Sequence, residues 1–240
     1  MSGEAAAMRT PAKARPKRHP YHEWSPDARA LDLVGDKWTL LIVRDLSSGP
    51  RRFVALQRVL PGISTEQLRS RLSRMVADGL LIRRPYREIP PRVDYELTNA
   101  GKELLPVLGA FARWGYDWAW GAPRDAEAID IGAILRLAPG LVEPPLGAHG
   151  VAVLSVQEIG DENECHYTLT VGDGAVSIAE RDDPSADVRV WGSQSAWIDA
   201  LGPEAGRTGL QVAGDADLAE LLLDGICQTR EDGGDRSIAV

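Results

Sequence analysis

Cysteine is scarce in this chain: 240 residues contain two, Cys165 and Cys227, with no pairing signature. That excludes a disulfide-stapled secreted fold and is the usage of a reducing, cytosolic compartment. No apolar run reaches the roughly 20 residues that a membrane helix needs, and the opening residues lack the apolar core of a signal peptide. A cytoplasmic protein with no membrane partner is expected. No Gly-rich phosphate loop follows a strand, and neither a GxSxG elbow nor an HExxH helix occurs, so no enzyme class is supported. Cys165 and His166 are adjacent, which on a strand sends them to opposite faces. His19 and His22 have no Cys, Asp or Glu set about them, so neither a metal nor another cofactor is expected.

Charge is present but unevenly divided. Residues 1–120 carry 20 Lys+Arg against 13 Asp+Glu, a net of +7, whereas residues 121–240 carry 7 against 22, a net of −15. A basic module joined to an acidic one keeps any attraction for nucleic acid local, with the acidic half turned away from phosphate. The length accommodates two domains with ordinary cores. The division expected is a basic tail over 1–22, disordered in isolation, a first domain over 23–121, a second over 126–228 and a flexible tail over 229–240. The tail's Arg15, Lys17 and Arg18 read either as a phosphate-tracking arm or as a plain unstructured end. Gly121-Ala122-Pro123-Arg124 reads as the linker.

The first domain is the most informative stretch. Ala30, Leu31 and Val34 fall at helical spacing, Gly35 breaks the pattern, and Trp38, Leu41, Ile42 and Leu46 resume it. Pro50 ends the second helix. A third helix is expected from Arg52-Phe53 to Leu60, then a tight turn at Pro61-Gly62. Ser64 is a good N-cap, with Gln67 completing a capping-box pattern. The helix it opens, STEQLRSRLSRMVADG, puts Leu68, Leu72, Met75 and Val76 on one side. Its other side and flanks carry Ser64, Thr65, Gln67, Arg69, Ser70, Arg71, Ser73 and Arg74, the residue types that read base edges in a major groove.

A basic hairpin follows, with Arg83-Arg84 on the outgoing strand, prolines at the tip and Val93 to Leu97 returning at period two. Arg84, Arg87 and Arg92 are expected to contact phosphates or the minor groove, which sets affinity more than sequence choice. Each piece alone reads equally as an amphipathic surface helix or a solvated edge. Together they form a winged helix-turn-helix, mainly α with a β-hairpin wing, and double-stranded DNA is the expected partner. After Thr98, Leu104, Leu108, Phe111, Trp114 and Trp118 form a stripe suited to a core or dimer face, with Pro106 imposing a kink or a late start. Trp114, Trp118 and Trp120 stand near the domain boundary, where aromatic rings can also wall a ligand pocket.

The strings GDKWTLLIVRDL, FVALQRVLPGIS and PPRVDYELTNAG resemble the HxlR-type winged-helix regulators of bacteria, relatives of the MarR group. The resemblance implies a transcriptional regulator that joins as a homodimer through the first and last helices of the domain and binds a pseudo-palindromic operator. Many members carry a cysteine where this chain has Ser25. A serine removes the thiolate chemistry, so thiol-based redox sensing of that type is not expected.

In the second half, strands are expected at Val151–Val156, His166–Val171, Ala175–Ala179, Val188–Trp191 and Leu210–Val212. Helices are expected near Ile129–Leu137, at Ser193–Leu201 and, capped by Asp215, at Ala216–Ile226. That is an α+β domain, read as an antiparallel sheet with helices on one face. YTLTVGDGAVSIAE, DPSADVRVWGSQSAWIDAL and LQVAGDADLAELLL resemble the sterol-carrier-protein-2-like domain, which commonly encloses an apolar tunnel. The resemblance implies a module that senses a hydrophobic small molecule, with Trp114, Trp118, Trp191 and Trp197 as candidate lining residues. Two other readings stay open: a purely structural or dimerising second domain, and a hydrophobic-ligand carrier with a vestigial DNA module.

Overall fold

A computed structural model describes residues 20–86, 92–157 and 164–227. The expected tails and the wing tip, Arg87 included, lie outside these residues. The first domain opens with α1 (Pro26–Val34), whose N-cap Ser25 accepts a hydrogen bond from Ala28 N at 3.3 Å, with Pro26 in the first turn. Gly35 closes it by donating to Leu31 O. Ser25, at the position where relatives in the resembled group carry a thiol, is therefore a helix cap. Replacing it with Ala should cost about 1 kcal/mol, a thermal shift of roughly 2–4 °C.

Asp36 next takes the free N–H groups of Trp38 and Thr39 at the start of α2 (Thr39–Asp45). The chain then forms β1 (Arg51–Arg52), α3 (Phe53–Val59) and α4 (Thr65–Ala77), followed by the hairpin β2 (Leu81–Tyr86) and β3 (Arg92–Leu97). The strand order is β1-β3-β2, all antiparallel. Ile42, Val43, Leu56, Leu68, Leu72, Met75 and Leu97 close the core beneath the hairpin. Three helices with a three-stranded wing sheet make a winged helix. The stretch Arg51–Arg52, expected to begin a helix at Arg52, is instead a strand, because β3 offers it a pairing partner.

Thr98 caps the short α5 (Asn99–Lys102), and α6 (Leu105–Trp118) starts only at Leu105, with Pro106 in its first turn where a missing N–H costs nothing. Thus Pro106 delays the helix. The expected stripe also divides: Leu108 is buried, whereas Phe111 and Trp114 are 65% and 49% exposed.

The second domain begins with α7 (Ile131–Leu135) and α8 (Ala138–Leu141), two short helices in place of the one expected. Then come β4 (Gly150–Gln157), β5 (Glu164–Gly172), β6 (Ala175–Ala179), β7 (Val188–Ser193), α9 (Gln194–Leu201), β8 (Gln211–Gly214) and α10 (Ala216–Ile226). The five-stranded sheet has the order β6-β5-β4-β7-β8. It is mixed rather than antiparallel: β7 runs parallel to β4, from Ala152↔Val188 to Gln157↔Ser193.

The physical reason for that correction lies in residues 180–187. Their Asp-Asp-Pro turn signal reads as a hairpin, yet the segment passes over β5 and β4 to the far side of the sheet. It is anchored on the way by Thr168 Oγ1 donating to Arg181 O (2.7 Å) and by Asp187 N donating to Val151 O (2.8 Å). On the other face Leu154, Leu169, Val171, Val188 and Val190 pack with Trp197, Leu222 and Ile226 in one continuous core.

The two domains touch through backbone as well as side chains. Helices α6 and α8 cross at Gly109 and Gly140 so closely that a Cβ on Gly109 would lie 1.7 Å from Gly140 O. Trp120 Nε1 donates to Leu201 O at 2.9 Å. Arg136, 3% exposed, bridges Asp45 of α2 (3.4 Å) to Asp130 (3.1 Å) and Glu180 (2.6 Å).

Candidate nucleic-acid interface

The start of α4 is held by a reciprocal pair of bonds: Gln67 N donates to Ser64 Oγ at 3.2 Å, and Ser64 N donates to Gln67 Oε1 at 3.0 Å. Gln57 Nε2 also donates to Thr65 Oγ1 at 2.8 Å, tying the first turn of α4 to α3. The inward stripe Leu68, Leu72 and Met75 is fully buried. Helical phase therefore presents Thr65, Glu66, Gln67, Arg69, Ser70 and Ser73 to solvent. Ser64 and Gln67, expected as DNA contacts, thus spend side-chain oxygens on the cap, although Gln67 keeps its amide N–H₂ group.

The arginines divide by environment. Arg69 is exposed, pairs with Glu66 at 2.9 Å and lies 6.0 Å from the Phe53 ring. Arg71 turns inward to Asp36 at 2.8 Å, with only 17% of its side chain exposed. It fastens α4 to the start of α2 and sits apart from the outward face. Arg74 is half-buried on the same flank.

On the hairpin, Arg84 pairs with Glu96 across the strands. Arg92 holds Asp94 through two nitrogens, at 2.7 Å for the shorter pair, and its guanidinium lies 5.3 Å from the Tyr86 ring. Asp94 is 2% exposed and also draws Arg52 to 3.9 Å, so it is the anion around which the wing's base is assembled. The sequence reading passed over Asp94 because an acid on a basic hairpin reads as solvated. Arg83, also exposed on β2, alternates with Arg84 and so points to the opposite face of the hairpin from Arg84 and Arg92. A capped helix with small polar residues outward, beside a strand pair bearing Arg84 and Arg92, is complementary to a groove flanked by phosphates.

The four tryptophans proposed as ligand walls occupy different environments. Trp197 is fully buried and donates from Nε1 to Ser155 O at 2.8 Å. Trp191 alternates with the core residues Val188 and Val190 and so lies on the opposite side of the sheet. Trp114 is largely exposed on α6, and Trp118 is half-buried at its end. The aromatic at the domain junction is Trp120, edge-on to Tyr116 at 5.6 Å. Burial pushes the Cys227 thiol up to about 11. Native protein should therefore take up iodoacetamide at Cys227 at least tenfold more slowly than denatured protein at pH 8, measured by peptide mass spectrometry. Among the described residues no helix is long and apolar enough to cross a membrane, and no group of three or more His, Cys, Asp or Glu is placed to hold a metal.

Residues 33–122, the winged helix with its closing helix, match the HxlR-like helix-turn-helix family. An HTH-type transcriptional regulator of Synechocystis sp. is 44% identical over 93 residues, spanning 39% of this chain and 69% of that protein. The chain belongs to the HxlR-like family. YvaP of Bacillus subtilis, another HTH-type transcriptional regulator, is 36% identical over 90 residues, spanning 38% of this chain and 83% of that one. An HTH-type regulator of Mycobacterium tuberculosis is 46% identical over 90 residues, of which this chain covers 56% of the relative's length. Membership in the HxlR-like family thus rests on the first domain, the part that carries α4 and the wing.

Proposed function

We propose that the protein is a transcriptional regulator that binds operator DNA as a homodimer and receives a hydrophobic small molecule in its C-terminal domain. The observation that carries the reading is the outward face of α4 beside Arg84 and Arg92, in a domain of the HxlR-like family. The exposed α4 residues, with the wing residues Arg84, Arg87 and Arg92, are assigned to the DNA contact; Arg71 and Arg74 serve it by fixing the helix.

Dimerisation is supported by apolar surface on the first and last helices. Leu31 of α1 is 47% exposed, and Val107, Phe111 and Trp114, at helical spacing on α6, are each about half exposed or more, beside Trp24 at 90%. Single exposed apolar residues are ordinary, but a stripe of large ones marks an interface. The opposite side of α6 is occupied by α8, so the second domain leaves this stripe open to another copy. Paired recognition helices then meet successive major grooves about 34 Å apart.

For the ligand reading, the support is the resemblance of the second domain together with its apolar sheet-and-helix layer. One observation favours a structural role instead: Trp197, Leu154, Leu169, Leu201 and Leu222 fill that layer completely at their own positions. Both readings predict DNA binding and differ only in the second domain's response to a ligand.

The test is fluorescence anisotropy of the protein on the DNA upstream of its own coding sequence, against a scrambled duplex at fixed salt. Selectivity of roughly a thousandfold is expected, followed by release when a fatty-acyl probe is added. Equal weak binding to both duplexes argues against the regulator reading and for the carrier. Selective binding that no apolar probe alters leaves the second domain as a structural module.

A further inference from the structure

We propose that Glu180 is the coupling point through which the C-terminal domain sets the position of the wing, an inference that rests on the DNA-binding reading above. Glu180 follows β6 and begins the crossover to β7. Its Oε1 accepts from Arg136 Nε at 2.6 Å, from Ser48 Oγ at 3.2 Å and from the Arg51 guanidinium. Arg51 belongs to the winged helix. It lies in β1, opposite Tyr95 of β3, and β3 is the strand that carries Arg92 and Asp94. One carboxylate of the second domain therefore holds the strand against which the wing is built.

The same contact reaches into the second domain's interior. Arg136 lies 5.9 Å from the ring of Tyr167, which faces the core from β5. Its NH1 group also bonds Asp130 and approaches Asp45, the fully buried last residue of α2, which Arg44 pairs at 3.0 Å. Ser47 Oγ donates to Arg136 O at 2.9 Å. Asp130, Asp45 and Glu180 balance Arg44, Arg51 and Arg136, so the cluster is neutral. Burial opposes the Arg136 charge, but Asp130, Glu180 and Asp45 more than offset it and hold the guanidinium cationic.

Burial gives this cluster its consequence. An exposed ion pair is screened and its loss is absorbed by water, whereas losing one member of a buried set leaves another charge uncompensated. Arg51 has 11% of its side chain exposed and Arg136 4%, whereas Glu180 is 34% exposed, so losing the carboxylate leaves two largely buried guanidiniums short of an anion. Coupling then consists of a choice between Arg51 on Glu180 with the wing sheet held, as here, and Arg51 released with the wing sheet free. Any displacement of β5, β6 or the crossover within the second domain biases that choice.

The experiment compares hydrogen exchange of the full-length protein, without DNA, in wild type, Glu180→Gln and Arg51→Met. Glu180→Gln keeps the side chain's size and removes its charge. Arg51→Met cuts only the wing side and leaves Arg136, Asp130 and Asp45 in place. Peptides covering 51–52 and 92–97 are expected to exchange at least tenfold faster in both variants, with β4 as protected as in wild type. Arg51→Met is also expected to bind the upstream duplex at least fivefold more weakly.

Wild-type exchange at 51–52 and 92–97 in Arg51→Met, with β4 protected, overturns the proposal. If Glu180→Gln also loses protection in β4, the Arg51→Met comparison decides. Should wild type fail to distinguish the upstream duplex from a scrambled one, the regulator reading falls, and the exchange comparison still decides whether Glu180 holds the wing.

Discussion

Ser70→Glu should weaken binding to the upstream duplex by about a hundredfold, because it places a carboxylate at the centre of the one surface assigned to the groove. Ser70 is exposed on α4, between Glu66 and Gln67 on one side and Ser73 on the other. Removing a good side-chain contact with a base costs about 1–3 kcal/mol. A negative charge brought beside phosphates adds about 1 kcal/mol even in water-like surroundings. Each 1.4 kcal/mol is about tenfold in affinity.

The fold should hardly notice the change. Glutamate is a somewhat better helix former than serine, while its repulsion from Glu66, four residues earlier, costs a few tenths of a kcal/mol. The melting temperature is expected to stay within about 2 °C. Ser195→Glu, in the first turn of α9, makes the same change in net charge on the second domain. It should leave affinity within about twofold, since exposed charges beyond a Debye length of roughly 8–10 Å are screened. Anisotropy at one salt concentration reads both variants. Equal losses would mean that net charge governs binding; no loss in either would remove α4 from the DNA surface.

The parts of this reading that were visible in the sequence are those whose causes are local. Ser64, Gln67 and the Leu68–Leu72–Met75 stripe lie within a dozen residues, and each acts through the helix it belongs to. The cap Asp215 was equally legible, whereas Ser193, read as the first residue of its helix, is that helix's N-cap. What stayed hidden depends on partners distant in sequence. Strand β1 exists because β3 lies beside it, and neither Arg51 nor Arg52 carries a strand signal of its own. The parallel pairing of β4 with β7 depends on where residues 180–187 cross, which alternation within a strand cannot encode.

Arg71 illustrates the same limit within the candidate site. Its helical phase put it on a flank, and only the position of Asp36 decides that it turns inward. In α6 the aromatic stripe was read as a single face. A helix gripped from one side by α8 leaves Phe111 and Trp114 on the other, and that division appears only once the second domain is in place. The Asp45–Arg136 contact spans 91 positions and has no periodicity to announce it.

The junction makes the second large effect. Gly109→Ala is expected to destabilise the protein by about 3 kcal/mol or more, at the upper end of the overpacking range, a fall in melting temperature of roughly 6–12 °C. A Cβ at Gly109 would meet Gly140 O at 1.7 Å and Gly140 C at 2.2 Å, and a Cβ at Gly140 would meet Leu105 O at 2.0 Å. All of these are backbone atoms, so no side chain can swing aside and α6 must move off α8. That movement also stretches the bond from Arg113 to Gly140 O and lifts Leu137 from the first domain's core. The gain in helix propensity, about 1 kcal/mol for Ala over Gly, is too small to offset it. Gly115, six residues further along α6, is the matched control: a Cβ there meets nothing within 4 Å. Gly115→Ala should melt at or slightly above wild type, since it collects the propensity gain alone. Calorimetry of the two variants therefore separates crowding at the crossing from any general effect of alanine in α6. Equal melting of both would mean that α6 and α8 do not meet backbone to backbone, and that the Arg136 cluster and the Trp120–Leu201 bond carry more of the junction.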